Sequence, residues 1–342
     1  MTDTPLPTST VSSALVAGNA PAGDWRIDPA CALARACPAI PASALEIVEE
    51  TGSTNTDLML LMRNLPREEA AAGVHAVRVA YRQTAGRGRQ GRNWYAEPGR
   101  ALMFSLACVL PRPLAGLTGL SLAVGVALVE ALRALPGLTA GDAARIGLKW
   151  PNDILLDEGK LAGILIETAW STPAASAAVV GIGLNLREDE ALASALASAQ
   201  ASAQPFVQAS DLAAAGARTQ AHAQAKAPFV MRATPPASLS RVWPEASVTE
   251  SLAAALEALT SMIERFSADG FAPFRSRWNA CHVHAGREVV LFEQGVELTR
   301  GTALDVDETG RLLISTAQGV MPIATGDVSL RATHSTPAPL VR

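Results

Sequence analysis

The sequence predicts an α+β fold in which a mixed-sheet domain is followed by a small all-β barrel. Three observations carry that expectation. Strand-like and helix-like runs alternate between Leu45 and Leu186. The helix-like stretch at 117–135 is almost wholly apolar, as a core helix must be. Beyond Ala285 the pattern changes to short, evenly spaced strands separated by Gly, Asp and Glu turns.

Residues 1–24 are rich in Thr, Ser, Pro, Ala and Gly and read as a flexible tail. Trp25 to Pro41 is weakly patterned. It suffices for a short helix packed on the main body, but not for a helix-turn-helix or winged-helix domain, which needs a core of its own. The first clear strand is Leu45-Glu46-Ile47-Val48. Thr51-Gly52-Ser53-Thr54-Asn55-Thr56-Asp57 then supplies capping residues, and Leu58 to Met62 continues the helix. Residues 74–81 alternate as a strand, and 102–110 form a strand of buried residue types. The apolar helix at 117–135 is closed by Pro136-Gly137. Ile146-Gly147-Leu148-Lys149-Trp150 is a strand running into Pro151-Asn152-Asp153. A hairpin over 154–168 turns at Asp157-Glu158-Gly159, and 177–186 is a further strand. From 187 to about 247 the sequence drifts into Ala, Ser and Gln and reads as an insertion, part of it loosely ordered. Helices at 252–266 and 271–278 follow, then strands at 288–292, 296–305, 312–316 and 320–324. The expected organisation is a tail and short segment over 1–44, a main domain over 45–284 and a small barrel over 285–335.

At 342 residues and 49% hydrophobic content, the chain has room for two domains and a substantial core. Its net charge is -4 and its pI about 5.8. That balance disfavours gripping nucleic-acid phosphates as the main task. Cys31, Cys37, Cys108 and Cys281 lack metal-ligand spacing, and Cys108 sits in an apolar run as a buried small hydrophobe. This usage fits a reducing compartment. No secretory signal is expected, and the apolar 114–135 stretch carries polar residues and glycines that mark it as a core helix and not a membrane span. The expected location is the cytoplasm.

Against this acidic background, Gly86-Arg87-Gly88-Arg89-Gln90-Gly91-Arg92-Asn93-Trp94 concentrates positive charge. Arginine forks match carboxylate and phosphate oxygens, glycine admits close backbone approach, and an indole can hold a flat base. The run suits a small anionic, nucleotide-like ligand; a solvated basic turn or a nucleic-acid patch remain open readings. No dinucleotide-binding glycine motif stands between a strand and a helix, and no Walker-type phosphate loop or zinc-protease helix motif occurs.

Four segments stand out together: Ser53-Thr54-Asn55; Gln83 with the basic run; Lys149-Trp150-Pro151-Asn152-Asp153 with Lys160-Leu161-Ala162-Gly163; and Gly183-Leu184-Asn185. In this order and spacing they resemble the biotin–protein ligases. The resemblance runs from about Ile47 to Leu186 and from the 252 helix to about Arg331. It leaves the N-terminal segment and 187–247 uncovered.

The resemblance implies a biotin/lipoate ligase-like catalytic domain, an SH3-like barrel and a two-step reaction. Biotin carboxylate attacks the α-phosphorus of ATP to give biotinyl-5′-AMP, and a lysine of a biotin carboxyl carrier protein then takes the acyl group. Lys160 and Arg89 are implied as the catalytic pair. Ser53, Thr54, Asn55, Gln83, Gly86, Arg87, Gly88, Arg89, Lys160, Gly163 and Gly183 are implied around biotin. Arg89, Arg92, Trp94, Lys149, Asn152 and Asn185 are implied around ATP, with Asp153 on Mg²⁺. The arginine loop is implied to order over the ligand, and the barrel to assist ATP or acceptor engagement.

The residues alone leave other roles open. Lys160 reads on its own as a turn-exposed lysine, Trp94 as a core anchor, Ser53 to Asn55 as a plain helix cap and Asp153 as a cap on a strand end. Trp150 reads as core packing. His282 and His284 lack the carboxylates or cysteines of a metal site. A lipoate or octanoate ligase on the same scaffold is the runner-up. A biotin-sensing repressor is disfavoured by the short, unpatterned 1–44, so no specific DNA and no membrane are expected as partners. A homodimer is left open.

Overall fold

The structure, a computed structural model, describes residues 25–35, 40–67, 70–188, 234–293, 296–324 and 328–332. The expected tail over 1–24 and most of the expected insertion, 189–233, lie outside the described residues. A short helix α1 (Pro29–Ala34), capped by Asp28, precedes strand β1 (Leu45–Thr51). Helix α2 (Thr54–Asn64) crosses to β2 (Gly73–Gln83), which pairs parallel with β1. Every other pairing in this sheet is antiparallel: β3 (Ala101–Leu110), β4 (Ile146–Lys149), β5 (Asp153–Leu156), β6 (Gly159–Ser171) and β7 (Ser176–Asn185) complete the order β1-β2-β3-β7-β6-β5-β4. Between β3 and β4 lie α3 (Leu120–Arg133) and α4 (Ala140–Ala144). Helices α5 (Val248–Asp269) and α6 (Ala272–Cys281) follow β7. A second sheet, ordered β11-β10-β9-β8-β12, is made of β8 (Glu288–Glu293), β9 (Val296–Val306), β10 (Leu312–Thr316), β11 (Gly319–Ile323) and β12 (Val328–Ala332).

The period-2 rule divides the central strands between two cores. Phe104, Leu106, Cys108 and Leu110 of β3 face the main core with α3 and α5. Ala107 and Val109 face the smaller core under Leu58, Met59 and Met62 of α2. Helix α3 is apolar over most of its surface because most of it is buried, which also explains why 114–133 is long and apolar enough to cross a membrane by length and composition alone.

Four expectations need correction. The 154–168 hairpin turns on Asp157 and Glu158 alone, with Asp157 at φ 54, and Gly159 already belongs to β6. The long apolar helix starts at Leu120, because Gly119 at φ 83 breaks it from a 3-10 turn at Leu114–Leu117. The end of the supposed insertion is part of the body: Lys160 pairs with Pro236 in a parallel bridge, and Leu239 and Trp243 are buried. Its alanines and serines are core and backbone-pairing residues here. The second sheet also has a further edge strand, β12, that the weak Val328-Ser329-Leu330 alternation did not reveal.

Among the contacts that join the second sheet to the main domain, two lie beside Trp150 and β4. The β9–β10 turn is drawn tight by Asp307, whose Oδ1 accepts the Thr309 and Arg311 N–H groups. It presents the Gly310 carbonyl to Trp150 Nε1 at 3.2 Å. Trp150 is fully buried, as expected for core packing. On the other side, Val283 N–H donates to the Leu148 carbonyl (2.9 Å), so residues 282–284 run along β4. His282 lies here against Trp278, its Nδ1 donating to the Leu304 carbonyl (3.2 Å) while its buried Nε2 has no partner among the described residues.

Burial pushes the His282 imidazole down to about 4 from its ordinary 6.5. The unfolded chain therefore binds the extra proton first, and stability falls as pH drops through 6.5 toward 4. By linkage the loss at pH 5 is about 2 kcal/mol. In denaturant unfolding followed from pH 7 to pH 4.5, His282→Asn is expected to be less stable at pH 7 and to show a flatter decline; a slope equal to that of the unsubstituted protein removes His282 as the source.

Candidate functional site

The site is built on a strip of sheet almost bare of side chains. On the face that α2 covers, Ser105 stands opposite Gly181 and Gly181 opposite Leu165. One step along, Met103 stands opposite Gly183, Gly183 opposite Gly163, and Gly163 opposite Asp153. A Cβ at Gly181 would lie 2.1 Å from Asn55 Oδ1, and one at Gly183 2.3 Å from Trp94 Cε2. Only glycine admits these approaches. The space over Gly183 is thus taken by the Trp94 indole, where a ligand atom was expected.

Helix α2 aims its first turn at this strip. Ser53 caps it, and Ser53, Thr54 and Asn55 are each at most 4% exposed. Thr54 N–H donates to Gln83 Oε1 at 2.9 Å. The Ser105 hydroxyl donates to Asn55 Oδ1 at 2.6 Å; Thr54 Oγ1 lies 2.7 Å from Ser105 Oγ and 3.2 Å from Gln83 Oε1. Each hydroxyl carries one proton, so these contacts cannot all be filled. The shorter ones take the protons: Ser105 donates to Asn55, and Thr54 donates to Ser105. The Gln83 amide is oriented by the Thr54 N–H, and its Nε2 turns to Met103 Sδ at 3.3 Å, a weak acceptor that leaves donor capacity for a ligand. Asn55 Nδ2 donates to Glu167 Oε2 at 2.9 Å.

The Arg-Gly run closes over the same strip. Gly86 accepts the Trp94 N–H, Arg87 pairs with Asn93, and Gly88 N–H donates to the Arg92 carbonyl. The tip turns through Gly91 at φ 67. Arg87 Nη2 donates to both oxygens of Glu167 (3.0 and 2.8 Å), and Arg89 donates to Asn152 Oδ1 at 3.2 Å. Asn152 is itself fixed, its Nδ2 donating to the Ile164 carbonyl at 2.8 Å.

The third wall is β5–β6. Lys160 Nζ lies 2.6 Å from Asp153 Oδ1 and 5.6 Å from the centre of the Trp94 ring. Lys149, 4% exposed, lies 3.6 Å from Asp153 Oδ2 and donates to Thr234 Oγ1 at 3.0 Å. Asp153 is therefore shared between two ammonium groups. Magnesium takes one or two carboxylates together with phosphate oxygens and water. Both oxygens of Asp153 face lysine, and no group of three or more His, Cys, Asp or Glu comes together among the described residues. These residues do not fit a protein-held magnesium site.

The resulting cleft is open to solvent and spans about 460 Å³ with the solvent space at its mouth included. Of the site residues that the resemblance implied, it is lined by all except Gly86, Arg92, Lys149, Asp153 and Asn185. Gly86 closes the base of the turn, and Arg92 is exposed on it. Asn185 Nδ2 donates to the Lys160 and Ala237 carbonyls (3.1 Å each), and its side of the sheet lines a separate hollow with Arg100 and Arg187. The lining carries Arg87, Arg89 and Lys160 and no carboxylate. Sequence reading passed over Ser105 and Glu167. A lone polar residue inside Ala101–Leu110 was the available signal for Ser105; Glu167 offered none beyond a carboxylate in an apolar strand.

A mixed sheet with a cation-lined cleft, followed by a small barrel-like sheet, is the architecture of the biotin and lipoate ligases. The description "Biotin/lipoate A/B protein ligase family" matches residues 49–185, and "Biotin protein ligase C terminal domain" matches 284–331. A biotin–[acetyl-CoA-carboxylase] ligase of Paracoccus denitrificans is 32% identical over 289 residues, spanning 82% of this chain and 98% of that protein. The bifunctional ligase/repressor BirA of Escherichia coli is 30% identical over 261 residues, spanning 74% of this chain and 66% of that protein. The chain belongs to the biotin protein ligase family. Among solved structures, the Aquifex aeolicus biotin protein ligase in complex with biotin and ATP superposes with TM-score 0.57 at 24% identity, over 84% of this chain and 99% of that one, a likeness of fold.

The bare strip makes a direct demand on stability. Gly181→Ala drives a methyl into Asn55 and is expected to cost about 1–3 kcal/mol, as overpacking does. Gly52→Ala, where nothing lies within 4 Å, is expected to stay within about 0.5 kcal/mol. Urea unfolding of both reads the difference, and equal stabilities would refute the tight approach.

Proposed function

We propose that this chain attaches biotin to a lysine of a biotin carboxyl carrier protein, using ATP and passing through biotinyl-5′-AMP. The observation that carries this reading is the cleft itself: three cations and no carboxylate in its lining, beside a polar shelf of buried Thr54 and Asn55 with half-buried Gln83. An anionic carboxylate and phosphates need the first, and a neutral ureido ring needs the second.

In the first step a biotin carboxylate oxygen forms a bond to the α-phosphorus, and the bond to pyrophosphate breaks, its electron pair leaving with that group. The task for the protein is to hold two anions together and neutralise them. Lys160 has three donors, and Asp153 takes one, so the ammonium is aimed by one partner while others remain for ligand oxygens. Arg89, braced by Asn152, is placed to hold the adenylate phosphate. Lys149 acts as backing for Asp153 instead of touching phosphate, and Asn185 ties β6 to the 234–238 segment instead of touching ATP. Trp94, half-buried on the sheet, offers the cleft an aromatic wall for adenine. Magnesium would be held by the ATP phosphates and water and would supply charge neutralisation there, with Asp153 kept for the two lysines. In the second step the acceptor amine bonds to the acyl carbon, AMP leaves, and the amine's proton goes to solvent.

The same reading takes the chain as a ligase that does not grip operator DNA, on the strength of its acidic balance. Strong, salt-sensitive binding to duplex DNA would sink that part. Self-association is read in the same preparation by sedimentation.

Pyrophosphate exchange into ATP, run with biotin, lipoate, octanoate or no acid, tests the activity. Exchange with biotin alone is expected; exchange with lipoate or octanoate overturns the substrate. Lys160→Ala is expected to lower exchange about 10²–10³-fold, with circular dichroism unchanged. Arg89→Gly is expected to release labelled adenylate into solution about tenfold faster. Unchanged release removes Arg89 from adenylate retention.

A further inference from the structure

The carboxylate that joins the Arg-Gly turn to the polar shelf has no part in the chemistry above. Glu167 lies on β6, on the side of the sheet that carries Gly163 and Leu165. Its side chain is 25% exposed. One oxygen, Oε2, receives both the Arg87 guanidinium (2.8 Å) and the amide of buried Asn55 (2.9 Å). Oε1 receives Arg87 again at 3.0 Å. Through Asn55 the same carboxylate reaches Ser105, then Thr54, then Gln83.

We infer that Glu167 is a positioning residue with two separable effects: its charge latches the Arg-Gly turn through Arg87, and its acceptor oxygen fixes the Asn55 amide and hence the proton order along the shelf. The inference rests on the ligase reading for its consequences and on geometry for its substance.

The two effects have different physical origins. A half-exposed ion pair contributes little to global stability, so its loss is felt in where the turn sits. Without Glu167 the Asn55 amide keeps only a long contact to the Leu165 carbonyl (3.4 Å), so it can flip, and a flipped Asn55 presents a donor to the Ser105 hydroxyl, which reverses the direction of donation to Thr54. Glutamine at 167 keeps an acceptor oxygen for Asn55 and removes the charge that holds Arg87. Alanine removes both.

Two measurements follow, one of which needs no ligand. Trypsin cuts after arginine, and the turn carries Arg87, Arg89 and Arg92, so cleavage there reports how tightly the turn is held. Glu167→Gln and Glu167→Ala are both expected to be cut within 87–92 about tenfold faster than the parent protein. The parent rate in Glu167→Gln overturns the latch, whatever the protein's substrate is. In steady-state ligation, Glu167→Gln is expected to speed adenylate release about tenfold, while Glu167→Ala in addition raises the KM for biotin about tenfold above that of Glu167→Gln. Equal KM values in the two variants overturn the role of the acceptor oxygen. A merely structural residue moves both parameters together with the unfolding midpoint. The exchanged pair Arg87→Glu with Glu167→Arg is expected to slow trypsin cleavage after Arg89 and Arg92 relative to Glu167→Ala, without recovering the KM, because an arginine cannot accept from Asn55. If the parent protein activates no biotin in pyrophosphate exchange, the functional reading fails, and the proteolysis result still decides the latch.

Discussion

Everything at this site depends on the glycines that stand where β6 and β7 cross the cleft. Gly163 and Gly183 stand opposite each other, with Gly181 one pair along. A methyl at Gly181 or Gly183 would strike Asn55 or Trp94 at 2.1–2.3 Å. The bare strip lets the first turn of α2 and the end of the Arg-Gly turn lie directly on backbone. On the reverse face Ile164 of β6 and Ile182 of β7, with Phe104 of the neighbouring β3, pack into the main core beneath α3 and α5. One face is filled to set the sheet's position, and the other is emptied so that functional groups can be referred to it. Rigid placement of this kind is what a site acting by alignment and charge neutralisation requires.

Charge follows a matching pattern. The protein is acidic overall, yet the cleft lining is cationic. Its two nearby carboxylates stand behind the cations: Asp153 holds Lys160, and Glu167 holds Arg87. A bare lysine or arginine on a flexible stem loses considerable freedom when it meets a ligand. A carboxylate at its back removes part of that freedom beforehand and leaves further donors pointing forward. This arrangement also accounts for the poor fit of Asp153 to magnesium, since it is already committed to two ammonium groups.

Much of this could be read from the residues. Hydrophobic periodicity located the central strands and the helices that cover them, and the four polar segments brought Ser53 to Asn55, Gln83, Arg89 and Lys160 to one cleft. What escaped reading was whatever depends on partners distant in sequence. Ser105 and Glu167 meet Asn55 across 50 and 112 residues, and no local pattern announces such a meeting. Lys149 and Asn185 carried motif signals, but their side chains are engaged with Thr234 and Ala237, in a stretch whose Ala- and Ser-rich composition suggested an insertion. Composition reports average solvation; it does not report that Ala237 and Leu239 fit a gap beside β6. Strand β12 was missed because an edge strand paired on one side needs little apolar content to form.

The contact between Gly310 and Trp150 has a consequence for chain length. A backbone carbonyl, unlike a side chain, has no torsions of its own with which to search for its partner. Each residue added to the β9–β10 turn advances the chain by about 3.3 Å, more than the range over which a hydrogen bond holds. The turn is therefore a ruler, set to the distance between the second sheet and the tryptophan that precedes Pro151-Asn152-Asp153. This turn has to keep its count.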